Sequence, residues 1–325
     1  MALIGLARGF ATVLVLFILT GIGSGAANVP MMGLVTSWFD RKRRGRAAGF
    51  IVSGSGFAIL LSGWMIPVVN EARGAEGWRF SWLLLALIVA VTAFLCLLVL
   101  RDSPQEMGLR PVGDGSEDRA PSLPDGDGSP GLRRATMLHL GGTYFLFGFT
   151  YAIYVTFIVT FLVREHGYSE SVAGTFWSVI GLLSLLSGPL FGTLSDRWGR
   201  KRGLMLVFAI QGVAYLLAAS GRPGLFLAVS VGLFGFVAWS IPSIMAALVG
   251  DHVGPAKAAE AFGVVTFIFS FGQMAGPAVA GFLAELTGSF RSSFALAAAM
   301  AFLAILLTAY LRGPLQGARG GAQGR

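Results

Sequence analysis

The chain has 325 residues, of which 55% are hydrophobic and only 12% charged, with a formal net charge of +8 and a mean hydropathy of +0.74. So much apolar surface excludes a water-soluble fold, and the cations lie at the ends of apolar runs, where they set orientation instead of forming a nucleic-acid surface. The one cysteine, Cys96, lies inside an apolar run and excludes an intramolecular disulfide.

After a short apolar start, Met1 to Ala7, and an Arg-Gly pair, the sequence predicts nine membrane-spanning helices, roughly at 11–39, 46–69, 79–100, 137–163, 170–194, 203–220, 224–250, 258–286 and 291–312. The first run is not a cleavable leader, because it extends to Phe39 without a short core and a small-residue cleavage site. The 46 glycines suit helices that pack closely in lipid, where the hydrophobic effect gives no drive for one helix to join another. Eighteen of the 24 cations fall in alternate connections: Arg41 to Arg46, Arg101 to Arg134, Arg197 to Arg202, Lys257, and Arg312 onward. By the positive-inside rule those connections are cytoplasmic, so the carboxy terminus is cytoplasmic too.

Residues 101–136 differ from every other connection, being rich in Pro, Gly, Ser, Asp and Arg. They read as a solvated cytoplasmic linker, and its acidic residues Asp114, Glu117, Asp118, Asp125 and Asp127 lack the regular spacing of a metal site.

The sequence repeats itself. Gly21-x-Gly23-x-x-x-x-Asn28-Val29-Pro30, then Asp40 and Ala47-Ala48-Gly49, is matched by Gly232-x-x-Gly235-x-x-x-x-Ser240-Ile241-Pro242, then Asp251 and Ala261-Phe262-Gly263. Pro30 and Pro242 stand 212 residues apart, as do Arg79 and Arg291 at the starts of their spans. Successive spans copied with the same orientation make a parallel repeat. With that offset as a ruler, residues 1–8 correspond to the end of a third helix, and the expected counterpart of the second half lacks three helices before Met1. The predicted organisation is a partial amino-terminal half at 1–100, a linker at 101–136, a six-helix half at 137–312 and a cytoplasmic tail at 313–325.

Gly192-x-Leu194-Ser195-Asp196-Arg197-x-Gly199-Arg200-Lys201-Arg202 closes one span and opens the next. It resembles the signature loop of the major facilitator superfamily, whose members carry twelve helices in two six-helix halves. The stretch from Gly21 to Pro30, with Trp38-Phe39, Arg43-Arg44-Gly45-Arg46-Ala47-Ala48-Gly49, Ser53-Gly54-Ser55-Gly56 and Gly77-Trp78-Arg79, is similar to the fourth to sixth helices of monocarboxylate transporters and oxalate/formate antiporters. The resemblance implies an all-α polytopic membrane protein of the major facilitator fold in the cell (inner) membrane. It implies secondary transport of small organic solutes by alternating access, organic anions such as monocarboxylates first, with neutral solutes or drugs, or a truncated non-transporting membrane protein or scaffold, as alternatives.

In that family the loop is a latch on the cytoplasmic side, which assigns Gly192, Asp196, Arg197, Gly199 and Arg200 to a gate docking near Arg46. The simpler alternative is a loop that only enforces topology. The family cavity is lined at mid-membrane by the first, fourth, seventh and tenth helices. The polar residues suited to a solute are then Asn28, Tyr144, Tyr151, Tyr154, Trp239, Ser240 and Gln273, each of which could equally serve helix packing. Tyr144 and Tyr151, seven apart, share a helix face, and Tyr154 lies a turn beyond. Pro30 and Pro242 can bend their helices. The chain departs from the monocarboxylate transporters in lacking a charged pair between Ser171 and Leu194, and no Asp, Glu, Lys, Arg or His lies near the middle of a span. Nothing pairs a nucleophile with a base, so no enzyme is expected, and no cofactor or metal. The expected partners are the lipid bilayer, a small organic solute and a co-transported or exchanged ion.

Overall fold

A computed structural model describes residues 1–39, 41–110, 112, 130–253 and 258–311, apart from the side chains of residues 28–30, 32, 33, 35, 36, 41–50, 52, 130–134 and 259. Within those residues the chain forms eleven α-helices. They are α1 (Ala2–Leu6), α2 (Phe10–Trp38), α3 (Arg41–Arg73), α4 (Gly77–Val99), α5 (Pro130–Arg164), α6 (Glu170–Trp198), α7 (Arg200–Ala219), α8 (Leu225–Val237), α9 (Ser240–Val253), α10 (Ala258–Thr287) and α11 (Arg291–Tyr310). A single isolated bridge, Phe39 with Val112, is the one element of β pairing among the described residues. The reason is the solvent: lipid offers no hydrogen bonds, so a spanning segment must satisfy its own backbone as a helix.

Among the described residues, eight stretches are long and apolar enough to cross a membrane. One of them, Ser53–Val99, has 47 residues, about 70 Å as a continuous helix and more than twice a hydrocarbon core. A 3-10 turn at Gly74–Glu76 divides it into the ends of α3 and α4, so the nine predicted spans correspond to eight stretches. Two boundaries differ from expectation. Helix α5 begins at Pro130, inside the predicted linker. The predicted span 224–250 is two helices, broken at Ala238 and Trp239. Pro242 explains the break: its ring crowds the carbonyl four residues back, on Ala238, and it has no N–H to give. In contrast, α2 runs unbroken through Pro30, the proline at the matched repeat position.

The chain divides into two compact units, Met1–Asp118 and Arg119–Arg325. In the first, α1 and α3 pack on α4, and α2 lies against α3. No residue from 10 to 27 is buried. Trp38 donates its indole N–H to the Arg101 carbonyl (2.8 Å), and the Trp38 carbonyl accepts from Val112 N–H (2.8 Å), tying the end of α2 to the segment after α4.

The second unit has a continuous core. Helices α5 and α10 touch backbone to backbone because glycine stands at each contact: a Cβ on Gly272 would fall on the Phe145 carbonyl, and one on Gly276 on that of Phe149. Aromatic rings fill the interior, with Phe147, Tyr154, Phe161, Phe208, Tyr215, Phe234 and Phe294 all fully buried. Ser169 caps α6, its hydroxyl accepting from Val172 N–H (3.3 Å).

Each unit carries the same anchor. Arg79 of α4 donates to the carbonyls of Gly5 (3.0 Å) and Ala7 (2.8 Å) at the end of α1. Arg291 of α11 donates to those of Ala219 (3.1 Å) and Ser220 (3.0 Å) at the end of α7. Arg79 to Ala7 and Arg291 to Ala219 are both separated by 72 residues. Guanidinium against the negative end of a helix is favourable in either place, and the equal reach is the 212-residue repeat expressed as geometry.

Candidate functional site

At the break between α8 and α9, which Pro242 imposes, the Trp239 N–H leaves the helix ladder and finds a partner on another helix. Ser187 of α6 accepts from Trp239 N–H (3.1 Å). The Ser187 hydroxyl itself donates to the Ser184 carbonyl (2.9 Å), and the Ser187 carbonyl accepts from the Ser240 hydroxyl (3.1 Å). Ser187 therefore holds Trp239 and Ser240 with one side chain and one carbonyl. The Trp239 indole is half-buried, and its Nε1–H finds no acceptor among the described residues. Tyr151 of α5 lies beside it, ring centroids 5.7 Å apart.

The predicted polar residues separate into three groups. Tyr151 and Trp239 meet. Tyr144 stacks on Phe269 (4.4 Å) and Phe147 (5.8 Å), with half-buried Gln273 one turn beyond Phe269 on α10. Phe147 joins the two groups, since it also contacts Tyr151 (5.4 Å). Tyr154 stands apart: it is fully buried, and its hydroxyl lies 2.8 Å from that of Ser230. Ser230 gives its only proton to the Ala214 carbonyl (2.7 Å), so Tyr154 is the donor and its hydrogen-bonding capacity is used within the bundle. Ser240 is likewise fully buried and spent on Ser187. Asn28 lies on α2, with its side chain outside the described residues.

At the other end of α6 the basic loop is a joint with a fixed shape. Gly199 sits at φ +92°, a conformation that suits glycine, and it turns the chain from α6 into α7. Arg200 folds back to pair with Asp196, donates to the Ser195 hydroxyl (2.9 Å) and reaches Asp251 at the end of α9 (3.5 Å). Asp196 and Asp251 are both about half exposed, so these pairs contribute little stability, about 0–1 kcal/mol each, and can exchange partners. Arg197 is exposed and makes no ion pair among the described residues. Gly192 lies against α9, where a Cβ would stand 3.3 Å from the Ser243 hydroxyl. The expected docking residue Arg46 has its side chain outside the described residues.

Two residues here were not singled out by sequence. Asp251 carried a signal as the repeat partner of Asp40, but nothing in the sequence says that it faces Arg200. Ser187 stands one turn from Ser184 in an apolar run, a spacing that could have marked it.

The family described as "Uncharacterised MFS-type transporter YbfB" matches residues 1–309. The chain is 26% identical over 340 residues to the hexuronate transporter of Bacillus subtilis, covering 98% of this chain and 77% of that one. It is 25% identical to the probable sulfoacetate transporter SauU of Cupriavidus necator, over 95% and 74% of the two chains. It is 28% identical to monocarboxylate transporter 12 of Rattus norvegicus, over 89% and 64%. Among solved structures, a bacterial homologue of the human lysosomal transporter Spinster, inward-facing and unoccupied, superposes with a TM-score of 0.63 at 20% identity, over 97% of this chain and 81% of that one. The human organic anion transporter MFSD10 gives 0.67 at 19%, over 94% and 73%. The two structures share the fold.

Proposed function

The chain belongs to the major facilitator superfamily, a family of multi-pass membrane transporters, and on that premise we propose that it carries small organic anions bearing a carboxylate, by alternating access. The observation that carries this reading is the Trp239 indole N–H, a donor without an acceptor among the described residues, at a helix break inside a span. A carboxylate is the acceptor that suits it, and Tyr151, whose ring lies beside the indole, carries a hydroxyl as a second donor. Three relatives are named for hexuronate, sulfoacetate and monocarboxylate, all carboxylates. Tyr144 and Gln273 extend the same surface toward α10, while Tyr154 and Ser240 act as its support; on α2, Asn28 is the polar residue proposed for solute contact.

The loop at Gly192, Asp196, Arg197, Gly199 and Arg200 serves as the cytoplasmic gate, with Asp251 competing for Arg200. The carboxy terminus is cytoplasmic, in the inner membrane, and 101–136 links the halves 1–100 and 137–312. A second reading, export of neutral solutes or drugs, is favoured by a 30% identical match over 173 residues to the multi-drug resistance efflux pump PmrA of Streptococcus pneumoniae. Proteoliposomes separate the two. Uptake of labelled glucuronate, sulfoacetate or lactate, stimulated by the same anion inside, is the expected result. Dye efflux without anion uptake would favour the second reading, and neither would overturn both.

A further inference from the structure

Ser187 reaches the break in the neighbouring span from a fully buried place on α6. A serine hydroxyl has one proton and two lone pairs. Here the proton goes to the Ser184 carbonyl of the same helix (2.9 Å), which leaves the oxygen to accept the Trp239 N–H (3.1 Å). The Ser187 carbonyl takes the Ser240 hydroxyl (3.1 Å). One residue of α6 therefore holds the chain on both sides of the Trp239 α-carbon. The packing around it is close: a Cβ on Gly188 would stand 3.8 Å from the Trp239 carbonyl oxygen, and one on Gly235 of α8 would fall 2.9 Å from the Ile180 α-carbon. The Trp239 ring rests on Tyr151 of α5 (5.7 Å), which in turn lies against Phe234 (5.9 Å). The orientation of the indole is thus set by two helices, its backbone by α6 and its ring by α5.

We infer that Ser187 is a positioning residue for the solute, one that acts by aiming the Trp239 indole N–H and not by contact of its own. The inference rests on the reading of Trp239 as the donor to a carboxylate. A donor already held in its binding direction loses little freedom when the acceptor arrives, and that is how Ser187 enters affinity. Ser184 supplies the contrast. It stands three residues earlier on the same helix and is also buried, but its hydroxyl goes to the Gly181 carbonyl (2.7 Å) of α6 itself. Among the described residues the Ser184 hydroxyl makes no hydrogen bond to α8 or α9. The two serines thus share residue type, burial and helix, and differ in the bond to Trp239.

The test uses the full chain in proteoliposomes as Ser187→Ala, Ser184→Ala, Trp239→Phe and the Ser187→Ala/Trp239→Phe pair. Uptake is measured with the best transported of labelled glucuronate, sulfoacetate and lactate, alongside hydrogen-deuterium exchange of the peptide that carries the Trp239 amide. Positioning predicts that Ser187→Ala raises KM about fivefold at a nearly unchanged maximal rate. It predicts an unaltered KM in Ser184→Ala, and a KM in the pair no higher than in Trp239→Phe alone. Amide exchange at Trp239 should quicken in Ser187→Ala and not in Ser184→Ala. A KM that rises in Trp239→Phe but not in Ser187→Ala overturns the positioning role and leaves the anion reading standing. A KM unmoved by Trp239→Phe overturns both. Equal rises in the two serine variants, or an additive rise in the pair, would show that Ser187 only supports the bundle, and either overturns the proposal. If Ser187→Ala does not fold, Ser187→Cys, which keeps a weak donor and acceptor, carries the same comparison with a smaller rise in KM expected and an unchanged KM overturning the role.

Discussion

Arg79 and Arg291 each bind two carbonyls at a helix end, with one contact of each, Ala7 and Ala219, at the same 72-residue separation, yet the units around them differ. None of residues 10–27 in the first unit is buried, whereas 13 of the 29 residues of Leu225–Val253 in the second are. The glycines show the same contrast: a Cβ on Gly21, Gly23 or Gly25 of α2 would meet nothing within 4 Å, whereas on Gly272 or Gly276 it would meet backbone of α5. A repeated sequence therefore specifies local anchors in both copies, while burial depends on how many helices there are to pack. Glycine spacing marks where a helix can be approached closely, and a second helix is what turns that spacing into stability.

The contrast can be broken first at its strongest point. Gly276→Leu forces a side chain into the Phe149 backbone and should abolish the folded second unit or lower its stability by about 3 kcal/mol or more, read as loss of a monodisperse peak in detergent. Gly23→Leu should leave that peak unchanged, and equal damage from both would remove the distinction between the units. Next in size, Arg291→Ala removes two hydrogen bonds from a cation to helix-end carbonyls and should cost about 1–2 kcal/mol. Arg79→Ala removes the matching pair from α1 and should show a similar loss in thermal unfolding if the repeat governs both anchors. Tyr154→Phe leaves Ser230 bonded to Ala214 and should cost about 1 kcal/mol with the transport KM unchanged. Smallest is Asp251→Asn, worth about 0–1 kcal/mol in stability. Its effect should appear instead as a changed ratio of inward to outward accessibility, measured by cysteine labelling near Gly192.

How far the sequence carried varied with the range of the interaction. The helices, the Gly199 joint and the paired anchors were legible, because apolar length, a glycine between two spans and a constant offset are properties of the chain itself. Pro242 announced a bend; that the Trp239 N–H at the break is taken up by the Ser187 hydroxyl of α6, 52 residues away, is set by packing and not by local sequence. The three tyrosines of α5 looked equivalent by spacing. Tyr154 differs from Tyr151 because Ser230, 76 residues away, uses its hydroxyl, and Arg200 meets Asp251 at a separation of 51 residues. Helix periodicity gives the direction of a side chain but not the identity of what stands opposite.

Trp239 as a donor to an organic anion carries the proposed function. The direct measurement is concentration-dependent uptake of the best-transported carboxylate by proteoliposomes of the unaltered chain and of Trp239→Phe, with melting temperatures recorded on the same preparations. Loss of one hydrogen bond to a charged acceptor predicts a KM about tenfold higher at a nearly unchanged melting temperature. An unchanged KM, or a KM that rises as much in Tyr154→Phe, would contradict the assignment.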